Sequence, residues 1–280
     1  MNPSYRYCHA LTRRTAANFY PAFLVLPRRE RRTMEALYAF LRITDDLADE
    51  PGTEAAKIER VRSWRAALDA ALAGRPSHSL HPALAATVRR HGIPVQYLHA
   101  VLDGVESDLR PVAFATFSEL YVYCYRVASA VGLACIHVWG FIGDRAAEYA
   151  EAAGIAFQLT NILRDLGEDR TAGRVYLPMD ECAQFGCAPE SWQADNPAFT
   201  AMMEFQVARA RTYYAKGRRL LPLLSPAGRA IFGAMATTYE GLLNEIESRG
   251  YDVFRERVRM PGWKKTAYLL RAFPVRWGWA

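Results

Sequence analysis

Apolar residues recur every three to four positions along most of this chain. Within residues 30–49, Met34, Leu37 and Leu41 share one helical face, which predicts an amphipathic helix. Pro27 precedes this stretch and Pro51 follows it, as expected for residues that flank a helix. The same spacing predicts further helices over residues 55–74, 81–92, 95–109, 119–141, 145–165, 197–221 and 226–248.

The pattern typical of strands does not accompany these helices. No convincing run of alternating apolar and polar residues occurs, and turn-separated βαβ units are absent from the sequence. The segment 169–196 is richest in Gly, Pro and polar residues, which predicts the longest loop region there. We therefore expect one all-α domain over residues 1–280, with roughly eight to ten helices.

The longest stretch without Asp, Glu, Lys or Arg is "VASAVGLACIHVWGFIG", residues 127–143. A transmembrane helix needs about 20 apolar residues. This stretch is slightly shorter, and it contains Ser129 and His137. The sequence therefore favours a buried central helix at this position over a membrane span.

Composition narrows the class of protein. With 51% hydrophobic and 23% charged residues, the chain is expected to be globular and not disordered. The formal net charge of +6 suits an anionic partner, but the basic residues are dispersed and form no nucleic-acid-binding motif. An odd count of five cysteines without a CxxC pair predicts a reducing compartment. The amino terminus has no continuous apolar core, so we expect a cytoplasmic protein without a secretory signal.

Two carboxylates stand one helical turn apart at the end of the first predicted helix. Asp45 and Asp49 in "RITDDLADE" are four residues apart, which places their Cβ atoms about 6 Å from each other on one face. Such a pair repels unless a divalent cation lies between the carboxylates, and oxygen ligands favour Mg²⁺. By itself, the pair fits a solvated helix end better than a metal site.

A second array changes that balance. Asn161, Asp165 and Asp169 in "FQLTNILRDLGEDRTAGRVYLP" recur every four residues and share one face if the helix continues through Gly167. The other faces of this helix are apolar. Two such arrays that face each other across a cavity would hold several Mg²⁺ ions, which would clamp a diphosphate and help it to leave.

Together these stretches resemble the two aspartate-rich motifs of the squalene/phytoene synthase family. The family's amino-terminal segment is recognisable in "NFYPAFLVLPRRERRTMEALYAFLRITDDLADE", and its central helix is similar to "YCYRVASAVGL". A weaker likeness continues through "GYDVFRERVR". These landmarks cover nearly the whole chain, and the paired motifs are specific where either motif alone is not.

This resemblance implies a class I isoprenoid synthase fold with a central cavity between helices. It also implies a prenyltransferase that joins two allylic prenyl diphosphates head to head. Mg²⁺ would assist ionisation of one substrate, the double bond of the other would attack, and proton loss would close a cyclopropane. In some members this cyclopropyl diphosphate would then lose its diphosphate and rearrange. Reduction of the resulting cation by NADPH would give squalene, whereas proton loss would give phytoene or dehydrosqualene.

The product and the role of the chain leave alternatives open. Likeness to bacterial hopanoid-pathway members slightly favours two farnesyl diphosphates and presqualene diphosphate or squalene. Phytoene from two geranylgeranyl diphosphates and dehydrosqualene are the alternatives, and NADPH is implied only for squalene. A family relative without catalytic activity that acts as an assembly factor is the alternative from another class, although both carboxylate arrays are intact. No GxGxxG follows a strand and the histidines lack metal-ligand spacing, so we expect neither a Rossmann domain nor a zinc centre.

The resemblance also assigns the candidate site residues. Arg42 and Arg164 lie one turn from Asp45 and Asn161, where they would bind diphosphate or form intrahelical ion pairs with Asp45, Asp46 or Glu168. Arg257 resembles the carboxy-terminal diphosphate-binding arginine, with Arg255 and Arg259 as alternatives. The metal ligands would be Asp45, Asp49, Asn161, Asp165 and Asp169, and Tyr125 would join the catalytic residues. The substrate lining would include Phe19, Tyr20, Phe23, Tyr38, Gln158 and Tyr239. The small residues Ala128, Ser129, Val131 and Gly132 would leave room for a prenyl chain.

The carboxy-terminal stretch "VRMPGWKKTAYLLRAFPVRWGWA" mixes basic residues with Trp, Tyr, Phe and Leu. Such mixtures suit a membrane interface, where substrate tails and product reside. We expect peripheral contact with the inner face of the membrane, and a final helix packed on the body of the protein is the alternative. Oligomeric state is left open by the sequence.

Overall fold

The computed structural model describes residues 2–16, 20–110 and 112–277 of the chain. Within them the backbone is almost entirely helical, and the described residues form only two isolated β-bridges, at Ala113–Val175 and Phe141–Leu224. The helices are α1 (Pro3–Thr15), α2 (Tyr20–Phe23), α3 (Arg28–Asp49), α4 (Glu54–Leu72), α5 (His81–His91), α6 (Val95–Ser107), α7 (Phe117–Cys124), α8 (Ala130–Trp139), α9 (Ala146–Thr171), α10 (Met179–Gln184), α11 (Pro197–Gly217), α12 (Pro226–Ser248) and α13 (Gly262–Val275).

The long helices lie where the apolar spacing predicts them. α12 has the predicted bounds, whereas α11 ends at Gly217, where a 3₁₀ segment over Arg218–Leu223 replaces its last predicted turn. α9 is longer than expected and runs through Gly167 to Thr171. A Cβ at residue 167 would lie 3.0 Å from the carbonyl oxygen of Val253. Gly167 therefore allows the neighbouring chain to approach α9 closely, and Asp169 lies on the helix and not in a loop.

The described chain holds more helices than the eight to ten expected, because several are too short to show a clear period. α10 lies inside the predicted loop region, where it begins after Pro178 and buries Cys182. α1 is capped by Asn2, whose side chain accepts a hydrogen bond from the Ser4 amide at 2.9 Å. Capping and tertiary burial, and not a long repeat, stabilise these elements.

α7 and α8 form one continuous helix, joined by a π-helical turn over Tyr125–Ser129. By length and composition the helix of residues 117–139 passes as a membrane span, but 56% of its most apolar window is buried inside the protein. A soluble core helix passes the same test, so this feature is weak support for a membrane span. The helix instead occupies the centre of the fold, as the sequence predicts.

α9 packs against α8, α11, α12 and the π-helical turn. A Cβ at Gly154 would lie 2.4 Å from Cα of Ser129, so the two backbones are in close contact there. Where the side chains along α3, the central helix and α9 do not meet, these three elements form most of the wall of a cavity that α6 and α12 also line.

Candidate active site

A cavity of about 630 Å³ lies among α3, the central helix and α9. Along α3 its wall changes from Met34 and Leu37 to Arg42 and Asp45. Since a helix rises about 1.5 Å per residue, Met34 lies about 16 Å from Asp45 along the axis. The α3 wall is therefore apolar at one end and charged at the other.

The other two walls show the same gradient. On α9 the lining changes from Ala150 and Gly154 to Gln158 and Asn161, and on the central helix it changes from Tyr123 to apolar residues ending at Trp139. The cavity thus has a polar end and an apolar end. This shape suits a substrate with a charged head and a long hydrocarbon tail.

Asp45 is the carboxylate of α3 that faces the cavity. Its side chain lines the cavity and is accessible to solvent, although the surrounding protein partly buries the carboxylate. That burial raises the pKa of Asp45 to about 6, and the charges of Asp49, Asp46 and Asp108 add to the shift while Arg42 opposes it. A bound cation would offset this repulsion between carboxylates.

The α9 array is held differently. Asn161 donates from Nδ2 to Oε1 of Gln158 at 3.4 Å, while its own Oδ1 is buried with no partner among the described residues. Asp165 accepts from Nε of Arg164 at 2.7 Å, and Asp169 pairs with Arg174 at 3.1 Å. Burial raises the pKa of Asp169, and Arg174 opposes that shift. A buried amide oxygen without a hydrogen-bond partner costs free energy, and a ligand that pairs with it would recover that cost. Oδ1 of Asn161 is therefore placed to bind a ligand.

The arginines lie beside these carboxylates. Arg257 donates from Nε and Nη2 to the two oxygens of Asp165, at 3.0 and 3.1 Å. Arg255 instead pairs with Asp252. Arg257, and not Arg255, therefore contacts the α9 array. Within α3, Arg42 pairs with Asp46, which is the intrahelical alternative expected from the sequence.

Several predicted lining residues meet in this cavity. Phe23 and Tyr38 contact edge to face with ring centroids 6.1 Å apart, and Tyr239 stacks on Phe157 at 4.6 Å. All four rings face the enclosed volume. The predicted residues that line it are Phe23, Tyr38, Arg42, Asp45, Ala128, Val131, Gly132, Gln158, Asn161 and Tyr239.

Other predicted residues lie elsewhere. Asp49 is exposed at the carboxy-terminal end of α3 and does not line the cavity. Tyr125 lines a second pocket on the opposite face of the central helix. Two residues correspond to about 200° of helical rotation, so Tyr123 faces the cavity and Tyr125 faces away from it. Phe19 lies outside the described residues.

A cluster that the sequence reasoning missed occupies the polar end. The hydroxyls of Tyr123 and Tyr176 donate to Asp108 at 3.1 and 3.3 Å, and burial raises the pKa of Asp108 to about 6. Arg174 and Tyr176 belong to the stretch "GRVYLP" of the second aspartate-rich motif, so membership of that motif could have indicated them as site residues. Asp108 follows α6 and has no second carboxylate one helical turn away that points to the same face. No local sequence pattern therefore indicated it as a site residue.

The donor set fits a divalent cation that a substrate helps to hold. Among the residues that the structure describes, no three His, Cys, Asp or Glu side chains are close enough to hold an ion alone. Mg²⁺ usually keeps several waters and takes one or two protein carboxylates together with substrate phosphates. Asp45 on α3 and the unpartnered oxygen of Asn161 on α9 match that requirement.

Comparisons with known proteins agree on one family. The family model for squalene/phytoene synthase matches residues 12–264. The chain is 35% identical to 15-cis-phytoene synthase of Synechococcus elongatus, over 96% of this chain and 92% of that protein. It is also 35% identical to the chloroplastic phytoene synthase 1 of Zea mays, over 99% of this chain and 69% of that protein.

Solved structures give the same fold. A dehydrosqualene synthase in complex with ligand superposes with a TM-score of 0.87 at 27% identity, covering 96% of this chain and 95% of that one. The squalene synthase HpnC from Alicyclobacillus acidocaldarius gives a TM-score of 0.84 at 27% identity, covering 89% of this chain and 94% of that one. The expected all-α isoprenoid synthase fold is thereby confirmed.

Proposed function

The chain belongs to the squalene/phytoene synthase family, and from that premise we propose that it condenses two geranylgeranyl diphosphates to phytoene. Head-to-head condensation of prenyl diphosphates is the reaction of this family, and the chain is a prenyltransferase of that type. The sequence alone slightly favoured farnesyl diphosphate. The similarity to phytoene synthases at 35% identity, against 27% for the dehydrosqualene and squalene synthases, supports the longer substrate instead.

The observation that carries the choice of a prenyl diphosphate as substrate is the polarity gradient along the cavity. A prenyl diphosphate has an anionic head and an apolar tail, and the walls of α3 and α9 both change from apolar to polar along their length. Tail burial gives about 25 cal/mol per Å² of apolar surface removed from water. The head would meet Arg42, Asp45 and Asn161, while the tail would lie against Val131, Ile136 and Trp139.

We propose that the charged side chains orient the diphosphate for departure. Arg42, Arg164 and Arg257 present guanidinium groups that suit paired contacts to phosphate oxygens. Asp45, Asn161, Asp165 and Asp169, with Asp49 at the rim, would hold Mg²⁺. When bound, Mg²⁺ supplies charge that stabilises the leaving diphosphate. Asp165 now neutralises Arg164 and Arg257, so substrate would compete with it for both arginines.

The aromatic walls would protect the reacting carbons. Loss of diphosphate leaves an allylic cation, which the double bond of the second substrate attacks, and loss of one proton closes the cyclopropane ring. The faces of Phe23, Tyr38 and Phe157 line the enclosed volume, where they would exclude water and face the positive charge. The charged pairs of both arrays are retained, which supports an active enzyme over an assembly factor without catalytic activity.

A second candidate is condensation of two farnesyl diphosphates. It is favoured by the backbone agreement with the dehydrosqualene and squalene synthases. The purified protein should be incubated with each diphosphate and Mg²⁺, with and without NADPH, and the lipid identified by mass. A C40 product from geranylgeranyl diphosphate supports the proposal. A C30 product from farnesyl diphosphate, with no turnover of the longer substrate, would contradict it.

We also propose that α13 contacts the inner face of the cytoplasmic membrane. Leu270 and Trp277 are 64% and 61% exposed, and the exposed Arg271 lies beside Leu270. All five cysteines are free and buried, which supports a reducing compartment. Leu270→Asp with Trp277→Asp should reduce co-sedimentation with phosphatidylglycerol vesicles, while Phe205→Asp on α11 should not. Equal sedimentation of all three proteins would argue against this contact.

A further inference from the structure

A second pocket of about 350 Å³ lies on the other side of the central helix from the active-site cavity. The two share no lining residue. Four tyrosines from α6, α7, the π-helical turn and α11 line it together with Glu151 of α9. We call this the tyrosine pocket; its lining includes Tyr97, Tyr121, Tyr125, Tyr213 and Glu151, and also the ion pair of Glu148 and Lys216.

The tyrosines gather around Glu151. The hydroxyl of Tyr121 donates to Oε1 of Glu151, and the rings of Tyr121 and Tyr213 lie with centroids 6.2 Å apart. Burial raises the pKa of all four phenols, and the charge of Glu151 adds to each of these shifts. The hydroxyls stay protonated, and the pocket combines neutral phenols with a net negative charge, because Lys216 offsets Glu148 while Glu151 is left over.

Glu151 lacks the cationic partner that its neighbour has. Glu148, one turn earlier on α9, pairs with Arg145 at 3.1 Å and with Lys216 at 3.0 Å. Across the described ranges, no Lys, Arg or His lies within ion-pairing distance of the Glu151 carboxylate. Glu151 is nevertheless only partly accessible to solvent. Lys216 also lines the pocket, is 44% exposed and pairs with Glu148. The carboxylate of Glu151 thus has a phenol donor and no ion-pair partner among the described residues.

We propose that the tyrosine pocket binds a small organic ammonium ion. Its charge would lie against Glu151, and its N-alkyl groups would contact the tyrosine rings, whose faces attract cations. An anion would be repelled by Glu151, and a neutral apolar ligand would leave the carboxylate desolvated without compensation. The volume suits a small molecule.

Isothermal titration calorimetry of the protein with choline tests this proposal by measuring the affinity for a small organic ammonium ion. Its neutral carbon isostere, 3,3-dimethyl-1-butanol, has the same shape without the charge. We expect one choline per chain, bound about tenfold more tightly than the isostere, which corresponds to about 1.4 kcal/mol. Glu151→Gln should weaken choline binding about tenfold or more, whereas the matched control Glu204→Gln, an exposed carboxylate of α11 outside the pocket, should leave it nearly unchanged.

Three results would overturn the proposal: no heat with choline at millimolar concentration, equal binding of choline and its isostere, or Glu151→Gln with wild-type affinity. If Glu151→Gln does not fold, Tyr97→Leu gives the same test. It removes a half-buried ring and keeps the carboxylate, so it should weaken choline binding more than isostere binding. Equal weakening of both ligands would likewise refute a cation site.

A trimethylammonium group can come from a free solute or from a lipid headgroup. Phosphatidylcholine vesicles that bind the wild type but not Glu151→Gln, with free choline as competitor, would identify the headgroup as the source. Vesicles that bind both proteins alike, or neither, would leave the soluble ion as the ligand. None of these measurements depends on prenyl diphosphate turnover, so the tyrosine pocket and the proposed reaction can fail independently.

Discussion

Asp165 and Asp45 occupy contrasting surroundings, although both are acidic residues of a matched motif. Asp165 lies between Arg164 and Arg257, which neutralise it. Asp45 faces other carboxylates, and burial raises its pKa. An incoming diphosphate would therefore take over arginines near Asp165, while an incoming cation would relieve repulsion near Asp45.

Arg257 offers the sharpest test of diphosphate recognition. Arg257→Ala removes a guanidinium that reaches Asp165, whereas Arg255→Ala removes one that is 89% exposed and pairs only with Asp252. A lost charge-assisted hydrogen bond costs about 1.5–3 kcal/mol, or about 10- to 100-fold. Steady-state kinetics should show that much loss in kcat/KM for Arg257→Ala, with Arg255→Ala within about twofold. Equal effects would argue against Arg257 as the diphosphate ligand.

Tyr123 and Tyr125 can be separated in the same assay. Tyr123→Phe removes a donor from the buried carboxylate of Asp108 at the polar end of the cavity, and a lost hydrogen bond to a charged group costs about 1.5–3 kcal/mol. Tyr125→Phe changes only the second pocket. We expect turnover to fall about tenfold or more for Tyr123→Phe and little for Tyr125→Phe. The reverse order would restore Tyr125 to the catalytic role that the sequence predicted.

Among the elements, α9 contributes both to the lining of the cavity and to the packing of the core. Gly154 lets α9 approach the π-helical turn at Ser129, and Gly154 itself lines the cavity. The same helix then carries Asn161, Asp165 and Asp169 on the next turns. Packing and chemistry therefore depend on one continuous helix.

Gly154→Ala should destabilise the protein although alanine is the better helix former. The helix propensity gain is about 1 kcal/mol, but a Cβ at 2.4 Å from backbone must displace α9, and overpacking costs about 1–3 kcal/mol or more. Calorimetry should show Tm lowered by about 2–6 °C. Gly233→Ala on α12, where the nearest atom would be 3.6 Å away, should hold or raise Tm. A stabilised Gly154→Ala would refute the close-packing interpretation.

The sequence predicted the long elements well because their apolar spacing is regular. α3, α9 and α12 are examples, and the paired acidic motifs indicated the family. Short helices such as α2 and α10 escaped because one or two turns carry too little periodicity. Tyr125 was assigned to the cavity because motif membership does not say which helical face a residue occupies.

At the scale of the whole molecule, the polar end is assembled from segments far apart in sequence. Asp45, Asp108, Asn161 and Arg257 come from α3, from the residue after α6, from α9 and from the segment before α13. Spacing within one helix predicted Asp45 and Asn161. It could not predict Asp108, whose position depends on Tyr123 and Tyr176 meeting it in the folded chain.

Mg²⁺-dependent release of diphosphate from geranylgeranyl diphosphate tests the central claim that α3 and α9 form one clamp. We expect Asp45→Asn and Asp165→Asn each to lower release about 100-fold or more, because each would remove a proposed Mg²⁺ ligand. Asp103→Asn, an exposed carboxylate of α6, serves as the matched control, and circular dichroism should be unchanged in all three. Near wild-type release by both Asp45→Asn and Asp165→Asn would contradict the clamp.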